Sequence, residues 1–165
     1  MGQGYKFECE ECGFSTNASL GIGYLYPMVC DDILDRMKKG AFGEEIKEAA
    51  NTTPGVAVHQ SASVFICDKC RSWCIDDVID LCVPIQEVNE ENRRFSVANE
   101  ATNEITYVMD CDIGETFEIL HSVERTCSCC NRKMRPVKKS RMSLLKLKCP
   151  KCQKKIDIRG SYDWD

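Results

Sequence analysis

The chain has 165 residues, of which 43% are hydrophobic and 29% charged, a composition typical of a soluble globular protein and not of a disordered one. No apolar run reaches the roughly 18 residues that a membrane helix needs, and the N-terminal residues show neither a basic leader nor an apolar stretch. The sequence therefore predicts a cytoplasmic protein with no membrane partner.

The net charge of −4 conceals two opposite regions. Residues 1–124 contain nine Lys and Arg against 23 Asp and Glu, whereas residues 125–155 contain 12 Lys and Arg and no acidic residue. A block of one sign usually indicates a solvated face or an interaction surface. The basic segment is therefore predicted to meet a different neighbour from the rest of the chain.

Two helices are predicted early in the chain. Residues 28–39 have acidic residues at the start and lysines at the end, which matches the helix dipole. Val29, Ile33 and Met37 recur every four residues and predict a buried stripe. A second helix is expected over 43–50. Both helices are predicted to form an insertion between two halves of one metal site.

From residue 56 onward, the spacing of apolar residues changes from the helical period to the two-residue period of strands. Residues 56–67 predict a strand that leads into a cysteine pair, and residues 79–85 alternate between apolar and polar side chains. Pro84 predicts that the latter strand lies at a sheet edge, because proline cannot donate a ladder hydrogen bond. Two further strands are expected at 105–109 and 117–123. The elements together predict an α+β fold with short antiparallel strands.

The strongest motif is formed by Cys127, Cys130, Cys149 and Cys152. Two C-x2-C pairs are separated by 18 residues, a spacing typical of structural zinc sites, because two facing knuckles supply a tetrahedron of thiolates. The intervening residues have the length of a hairpin, with 140–143 near its tip. We predict a zinc ribbon.

A second site is predicted from Cys9, Cys12, Cys67 and Cys70. Here 54 residues separate the pairs, so the spacing alone does not show that they form one metal site. The entropy cost of closing such a loop is acceptable, because it grows only slowly with loop length. Cys74 remains an alternative ligand in this site.

The other cysteines and both histidines are predicted to be structural. Free cysteine packs as a small hydrophobic residue, although a reactive thiol remains possible, and Cys129 could replace a neighbouring ligand. His121 alternates with apolar residues, which predicts a core-facing imidazole. These residues are Cys30, Cys74, Cys82, Cys111, Cys129, His59 and His121.

Zinc is the expected ion, two per chain, although four sulfurs also suit iron in a rubredoxin-like centre. A closed shell of four thiolates leaves no open position for water or substrate. The metal is therefore predicted to stabilise the fold and not to catalyse a reaction, and no small-molecule substrate is predicted.

The stretch "GYKFECEECGFSTNASLGIGYLYP", the later "CDKC", the C-terminal ribbon and the closing "YDWD" resemble a family of small bacterial double zinc-ribbon proteins, mostly from Firmicutes. The resemblance implies an architecture of paired ribbons and no activity. Family members usually carry Gly after each knuckle, whereas Arg71, Asn131 and Gln153 take that place here.

The predicted domains are an acidic zinc-ribbon-like module with a helical insertion at 1–90, a linker and strands at 91–124, and a basic zinc ribbon at 125–165. The polar stretch 88–104 is expected to be a loop.

Three functions are considered. The basic ribbon is predicted to bind RNA or DNA, because its cations could reach phosphates. A protein-interaction adaptor that uses the ribbons as rigid platforms is the alternative, and a thiol redox or iron protein is the third. The candidate nucleic-acid contacts are Arg135, Lys138, Lys139, Arg141, Lys146 and Lys148.

Overall fold

A computed structural model describes residues 2–22, 26–85, 97–98 and 104–164. Most of the predicted loop at 88–104 lies outside this part. The described elements are β1 (Gly2–Glu8), β2 (Ser15–Leu20), α1 (Tyr26–Lys38), α2 (Glu44–Thr52), β3 (Ala57–Cys67), β4 (Trp73–Pro84), β5 (Val97–Ala98), β6 (Ile105–Tyr107), β7 (Phe117–Ser122), β8 (Met134–Pro136), a 3-10 helix (Lys139–Leu144) and β9 (Asp157–Trp164). They confirm the predicted α+β class.

The strands form two mostly antiparallel sheets. One has the order β2-β1-β9, and the other has the order β5-β6-β3-β4-β7, with β8 pairing with β3. Within the described residues, neither α1 nor α2 has the length and apolar character that a membrane span requires.

The chain divides into two compact units, and each unit is assembled from separate stretches of sequence. Strands β3 and β4 contribute residues to both. Unit 1 contains 1–23, 62–77 and 124–165, and unit 2 contains 24–61 and 78–123. The predicted boundary after residue 124 lies one residue from a boundary of this division, whereas no boundary of the division falls near residue 90. Unit 1 is discontinuous because strand pairing joins residues that are far apart in sequence.

In unit 1, two antiparallel strand pairs join distant parts of the chain. The end of β1 lies beside the start of β9, with Phe7 opposite Ile158, and the end of β3 lies beside β8, with Cys67 opposite Met134. Gly4 permits the β1–β9 approach, because a Cβ atom there would lie 2.3 Å from the ring of Tyr162.

The core of unit 1 includes side chains from the strands and from the basic segment. Phe7 is fully buried and stacks on Trp73, with 5.1 Å between ring centroids. The indole N–H of Trp73 donates to the carbonyl oxygen of Lys148 at 2.7 Å. Met142 and Leu147 also pack in this core. The basic segment is thus an integral part of unit 1.

The predicted hairpin between the third and fourth cysteine pairs is wrong. Instead, β8 pairs with β3, and the 3-10 helix occupies the expected tip. The physical reason is burial: Met134 and Met142 are 6% and 1% exposed, and an isolated hairpin would leave both in solvent.

The core of unit 2 includes side chains from both helices. Helix α1 buries Ile33 and Met37, as the predicted stripe requires, and α2 buries Ile46 and Ala50 one turn apart. The side chain of Val29 lies outside the described part. Helix α1 packs against α2 and β6.

Strand β4 is not at an edge, contrary to the prediction, because β3 lies on one side of it and β7 on the other. Pro84 is tolerated because it is the last residue of the strand, opposite Phe117. A missing N–H interrupts the ladder least at that position.

Candidate metal centres

The four C-x2-C knuckles share one backbone geometry. In each, the carbonyl oxygen of the first cysteine accepts a hydrogen bond from the amide four residues later, at 2.8 to 3.0 Å. The amide of the first cysteine in turn donates to the carbonyl oxygen five residues later. The four amide donors are Gly13, Arg71, Asn131 and Gln153, and the four carbonyl acceptors are Phe14, Ser72, Arg132 and Lys154.

The residue after each knuckle adopts a left-handed backbone. Its φ is 69° at Gly13, 62° at Arg71, 55° at Asn131 and 63° at Gln153. The last three are the only non-glycine residues with positive φ in the part of the chain that is described. Such a conformation costs a side-chain-bearing residue about 1–2 kcal/mol and persists where the surroundings enforce it. The knuckle turn therefore forms even where glycine is replaced.

The first and fourth knuckles lie together and form what we call the outer cluster: Cys9, Cys12, Cys149 and Cys152. The Sγ atoms of Cys9 and Cys152 are 3.5 Å apart, and those of Cys12 and Cys149 are 3.6 Å apart. The cause is the pairing of β1 with β9. The first knuckle follows β1 and the fourth precedes β9, so antiparallel pairing places the two knuckles face to face.

The second and third knuckles form the inner cluster: Cys67, Cys70, Cys127 and Cys130. The Sγ atoms of Cys67 and Cys130 are 3.5 Å apart, as are those of Cys70 and Cys127. Here the pairing of β3 with β8 supplies the geometry, because β3 ends at Cys67 and β8 begins shortly after Cys130.

The predicted partnership of the knuckles is therefore wrong, although all eight predicted cysteines take part in a cluster. The prediction joined the first knuckle to the second and the third to the fourth. The structure instead joins the first to the fourth and the second to the third, which is a nested arrangement. Proximity in sequence favoured the first arrangement, but strand pairing between the distant elements decides it.

Either cluster could hold a metal ion. Within each, the four Sγ atoms lie within 4.8 Å of one another, and none of the thirteen cysteines forms a disulfide bond. A tetrahedral zinc with Zn–S bonds of about 2.3 Å would place its sulfurs about 3.8 Å apart. The observed separations of 3.5 to 3.8 Å fit that tetrahedron and are far longer than a disulfide bond of about 2.05 Å.

The thiols of the inner cluster differ in acidity. Hydrogen bonds from the Ser72 hydroxyl and amide lower the pKa of Cys70 to about 6. The Ser72 hydroxyl also lies 3.0 Å from the Sγ of Cys127 and lowers its pKa. At Cys130 the amide of Arg132 favours the thiolate, but burial and the neighbouring thiols raise the pKa to about 12. Four negative charges cannot share this volume without a cation.

The outer cluster shows the same division. Burial opposes ionisation of Cys149, but the amides of Cys152 and Lys151 outweigh it and lower its pKa to about 7. At Cys152 the amide of Lys154 favours the thiolate, but burial and neighbouring sulfurs raise the pKa to about 12. A divalent ion would allow all four thiols to deprotonate, because it supplies the missing positive charge.

The remaining cysteines belong to neither cluster. Cys74 and Cys129, the two alternative ligands, are exposed, and so is Cys111. Cys30 and Cys82 are buried, in agreement with the expectation of small apolar residues, and burial raises the pKa of Cys82 to about 12.

His59 holds a buried charge in unit 2. Its Nδ1 atom is 2.9 Å from Oδ2 of Asp80, and its Nε2 atom is 2.7 Å from Oδ1 of Asp110. Both partners are acceptors, so both ring nitrogens must carry protons to bond them. Burial alone would lower the pKa of His59, but these two hydrogen bonds outweigh it and raise the pKa to about 9.

The prediction that His121 faces the core is wrong. Its side chain is 25% exposed, and Nδ1 lies 3.7 Å from Glu45. The regular alternation of β7 fails because the pairing with β4 shifts register, so that Leu81 faces His121 but Cys82 faces Ile119. The intervening Leu120 is 40% exposed.

The structure places most of the predicted nucleic-acid contacts on the surface of unit 1. Arg135 pairs with Asp68 at 2.6 Å. Both residues line a cleft in unit 1, and so do Lys138 and Arg141. Lys146 and Lys148 are exposed as well. The side chain of Lys139 lies outside the described part. The sequence-based prediction missed Arg71, which also lines the cleft, because it belongs to the acidic half of the chain.

Comparisons with family models, curated proteins and solved structures found no match to this chain.

Proposed function

We propose that the protein is a non-catalytic, cytoplasmic zinc protein whose basic C-terminal segment binds nucleic acid. Two closed four-thiolate shells suit structural zinc, because they leave no coordination position for water or substrate. A reducing compartment suits thirteen cysteines that form no disulfide bond. The resemblance to bacterial double zinc-ribbon proteins is consistent with this role but contributes no activity.

One observation carries the nucleic-acid part of the proposal. Seven exposed cationic side chains of the basic segment have no carboxylate partner among the described residues. Four other described cations of the segment each pair with an acidic side chain: Arg125, Lys133, Arg135 and Lys155. Unpaired cations on a rigid surface can release counterions from phosphates without first breaking an ion pair. The seven are Arg132, Lys138, Arg141, Lys146, Lys148, Lys151 and Lys154.

Fluorescence anisotropy with labelled 20-nucleotide RNA and DNA tests this proposal. We expect a Kd that rises with salt, with a log–log slope of about 0.7 for each phosphate contacted on a single strand. Reversal of two cations in the variant Lys146→Glu/Lys148→Glu should weaken binding about 10-fold at low salt.

The matched control reverses two exposed cations of unit 2, Lys38→Glu/Lys39→Glu, and changes the net charge equally. It should leave the Kd near that of the wild type. An equal loss in both variants, or the absence of any salt-dependent binding, would contradict the proposal.

A protein-binding role has its own supporting observation. Strand β7 lies at the outer position of its sheet, and it exposes Ile119 and Leu120 by 45% and 40%. An edge strand with apolar side chains can pair with a strand of another chain. If Ile119→Lys abolished capture of a defined protein while nucleic-acid binding was absent, the adaptor function would replace the first proposal.

A further inference from the structure

A cleft of about 380 Å³ lies in unit 1 beside the inner cluster. Its apolar side is formed by Ile66 of β3, by Pro136 and Val137 at the end of β8, and by Leu145 after the 3-10 helix. Ile66 is 7% exposed and belongs to the core, so this side of the cleft is fixed by packing. The amide of Val137 donates to the carbonyl oxygen of Val64 at 2.8 Å, which anchors the β8 side.

Four cationic residues line the same cleft: Arg71, Arg135, Lys138 and Arg141. One acidic residue, Asp68, also lines it and pairs with Arg135. The other three cations have no ion-pair partner among the described residues. An apolar surface and three unpaired cations therefore adjoin one concave space.

Two of the charged residues owe their position to the inner cluster. Asp68 lies inside the Cys67–Cys70 knuckle, and Arg71 is the left-handed residue that closes it. The strain at Arg71 is notable because glycine would occupy this position without strain. The arginine instead brings a cation to the cleft from outside the basic segment.

Resting on the proposed function, we infer that this cleft binds one unstacked nucleotide of single-stranded RNA or DNA. Phosphate groups would contact Arg71, Lys138 and Arg141, and the base would pack on the apolar side near Val137 and Leu145. The volume falls within the range of about 300–1,000 Å³ for small-ligand sites and is too small for a duplex. In a duplex the bases are stacked inside and only phosphates could reach the cleft, so a single strand is favoured.

The test compares four ligands of equal length by anisotropy: single-stranded RNA, single-stranded DNA, duplex DNA, and a single strand without bases. We expect both complete single strands to bind at least about 10-fold more tightly than the strand without bases, since loss of one buried contact of about 1.4 kcal/mol has that effect. RNA and DNA should behave alike unless the 2′-hydroxyl is contacted.

The decisive variant is Arg71→Gly, which removes the guanidinium and also relieves the backbone strain, so we expect little change in stability. Its matched control is Gln153→Gly, the equivalent position of the outer cluster. We expect Arg71→Gly to weaken single-strand binding about 10-fold, through loss of one charge-assisted contact, and Gln153→Gly to leave it unchanged.

A second comparison distinguishes binding in the cleft from nonspecific attraction of phosphates to the positively charged surface. Lys138→Gln/Arg141→Gln removes two cations of the cleft, and Lys151→Gln/Lys154→Gln removes two cations outside it. Equal losses in the two double variants, or equal affinity for strands with and without bases, would overturn the cleft alone. Failure of the wild type to bind any of the four ligands would overturn both the cleft and the proposed function.

Discussion

The two units are organised by different kinds of interaction. Unit 1 joins three distant stretches of sequence, and its two cysteine clusters lie where the paired strands meet. Unit 2 packs α1 against α2 and β6, and it holds the protonated His59 between two carboxylates. We therefore expect bound metal to stabilise unit 1, where distant stretches meet at two groups of four cysteines, more than unit 2, which has no such group among its described residues.

Removal of metal should produce the largest difference between the units. Structural zinc contributes about 10–16 kcal/mol of apparent free energy in small modules, so its removal should loosen the strands that hold the cysteine clusters. With a chelator and a reductant present, we expect amides of β1, β2 and β9 to lose protection in hydrogen-exchange mass spectrometry. Amides of α1 and α2 should exchange at nearly their original rates.

The control for this experiment is addition of excess Zn²⁺, which should restore protection in unit 1. Uniform loss of protection in both units would show that metal also stabilises unit 2. Complete protection without metal would remove the proposed difference altogether.

Substitution of His59 should give the next largest effect, and it should act on unit 2. Because the folded pKa of about 9 exceeds the ordinary histidine pKa of about 6.5, the stabilisation is fully present below pH 6.5 and is lost as the pH rises through 9. His59→Gln should lower the free energy of unfolding by about 2–3 kcal/mol at pH 6, after allowance for screening of Asp110, which is 47% exposed. Urea unfolding of wild type and variant at pH 6, 8 and 10 measures the difference.

The difference between the two proteins should shrink as the pH rises, because a neutral imidazole can donate to only one of the two carboxylates. His121→Gln serves as the control, since this side chain is partly exposed and pairs with an exposed carboxylate. It should change stability by less than about 1 kcal/mol at each pH. A pH-independent effect of His59→Gln would contradict the assignment of a charged imidazole.

The smallest effect is expected at the knuckle turns of unit 1. Gln153→Gly removes left-handed backbone strain of about 1–2 kcal/mol but adds backbone entropy to the unfolded chain. We therefore expect the free energy of unfolding to rise by less than about 1 kcal/mol. Lys151→Gly, at a residue without positive φ, should instead reduce stability. Thermal unfolding of both zinc-loaded variants makes the comparison, and destabilisation by Gln153→Gly alone would contradict the strain argument.

Local patterns predicted much of the fold. Ile33 and Met37 identified the buried side of α1, and the run before Cys67 identified β3. The four cysteine pairs were evident because two thiolates three residues apart on a tight turn point toward one ion. These features depend on neighbours within about ten residues, so the sequence displays them directly.

Long-range features were not accessible in the same way. The partnership of the knuckles depends on β1 pairing with β9, and no local property of Cys9 distinguishes Cys67 from Cys152 as its partner. The strand-like residues 157–164 were a usable signal, since a strand after the last knuckle needs an edge to join. The register shift between β4 and β7 beside Leu120 was likewise not visible in the local alternation around His121.

The number of metal ions bound by variants in which knuckle cysteines are replaced by serine tests the nested arrangement most directly. Native mass spectrometry of the zinc-loaded wild type should show two ions. Replacement of all four outer-cluster cysteines by serine should leave one ion, because the inner cluster remains complete. Replacement of Cys9, Cys12, Cys67 and Cys70 should leave none, because each cluster loses half its ligands. The reverse result, with no ion in the first variant and one in the second, would contradict the nested pairing.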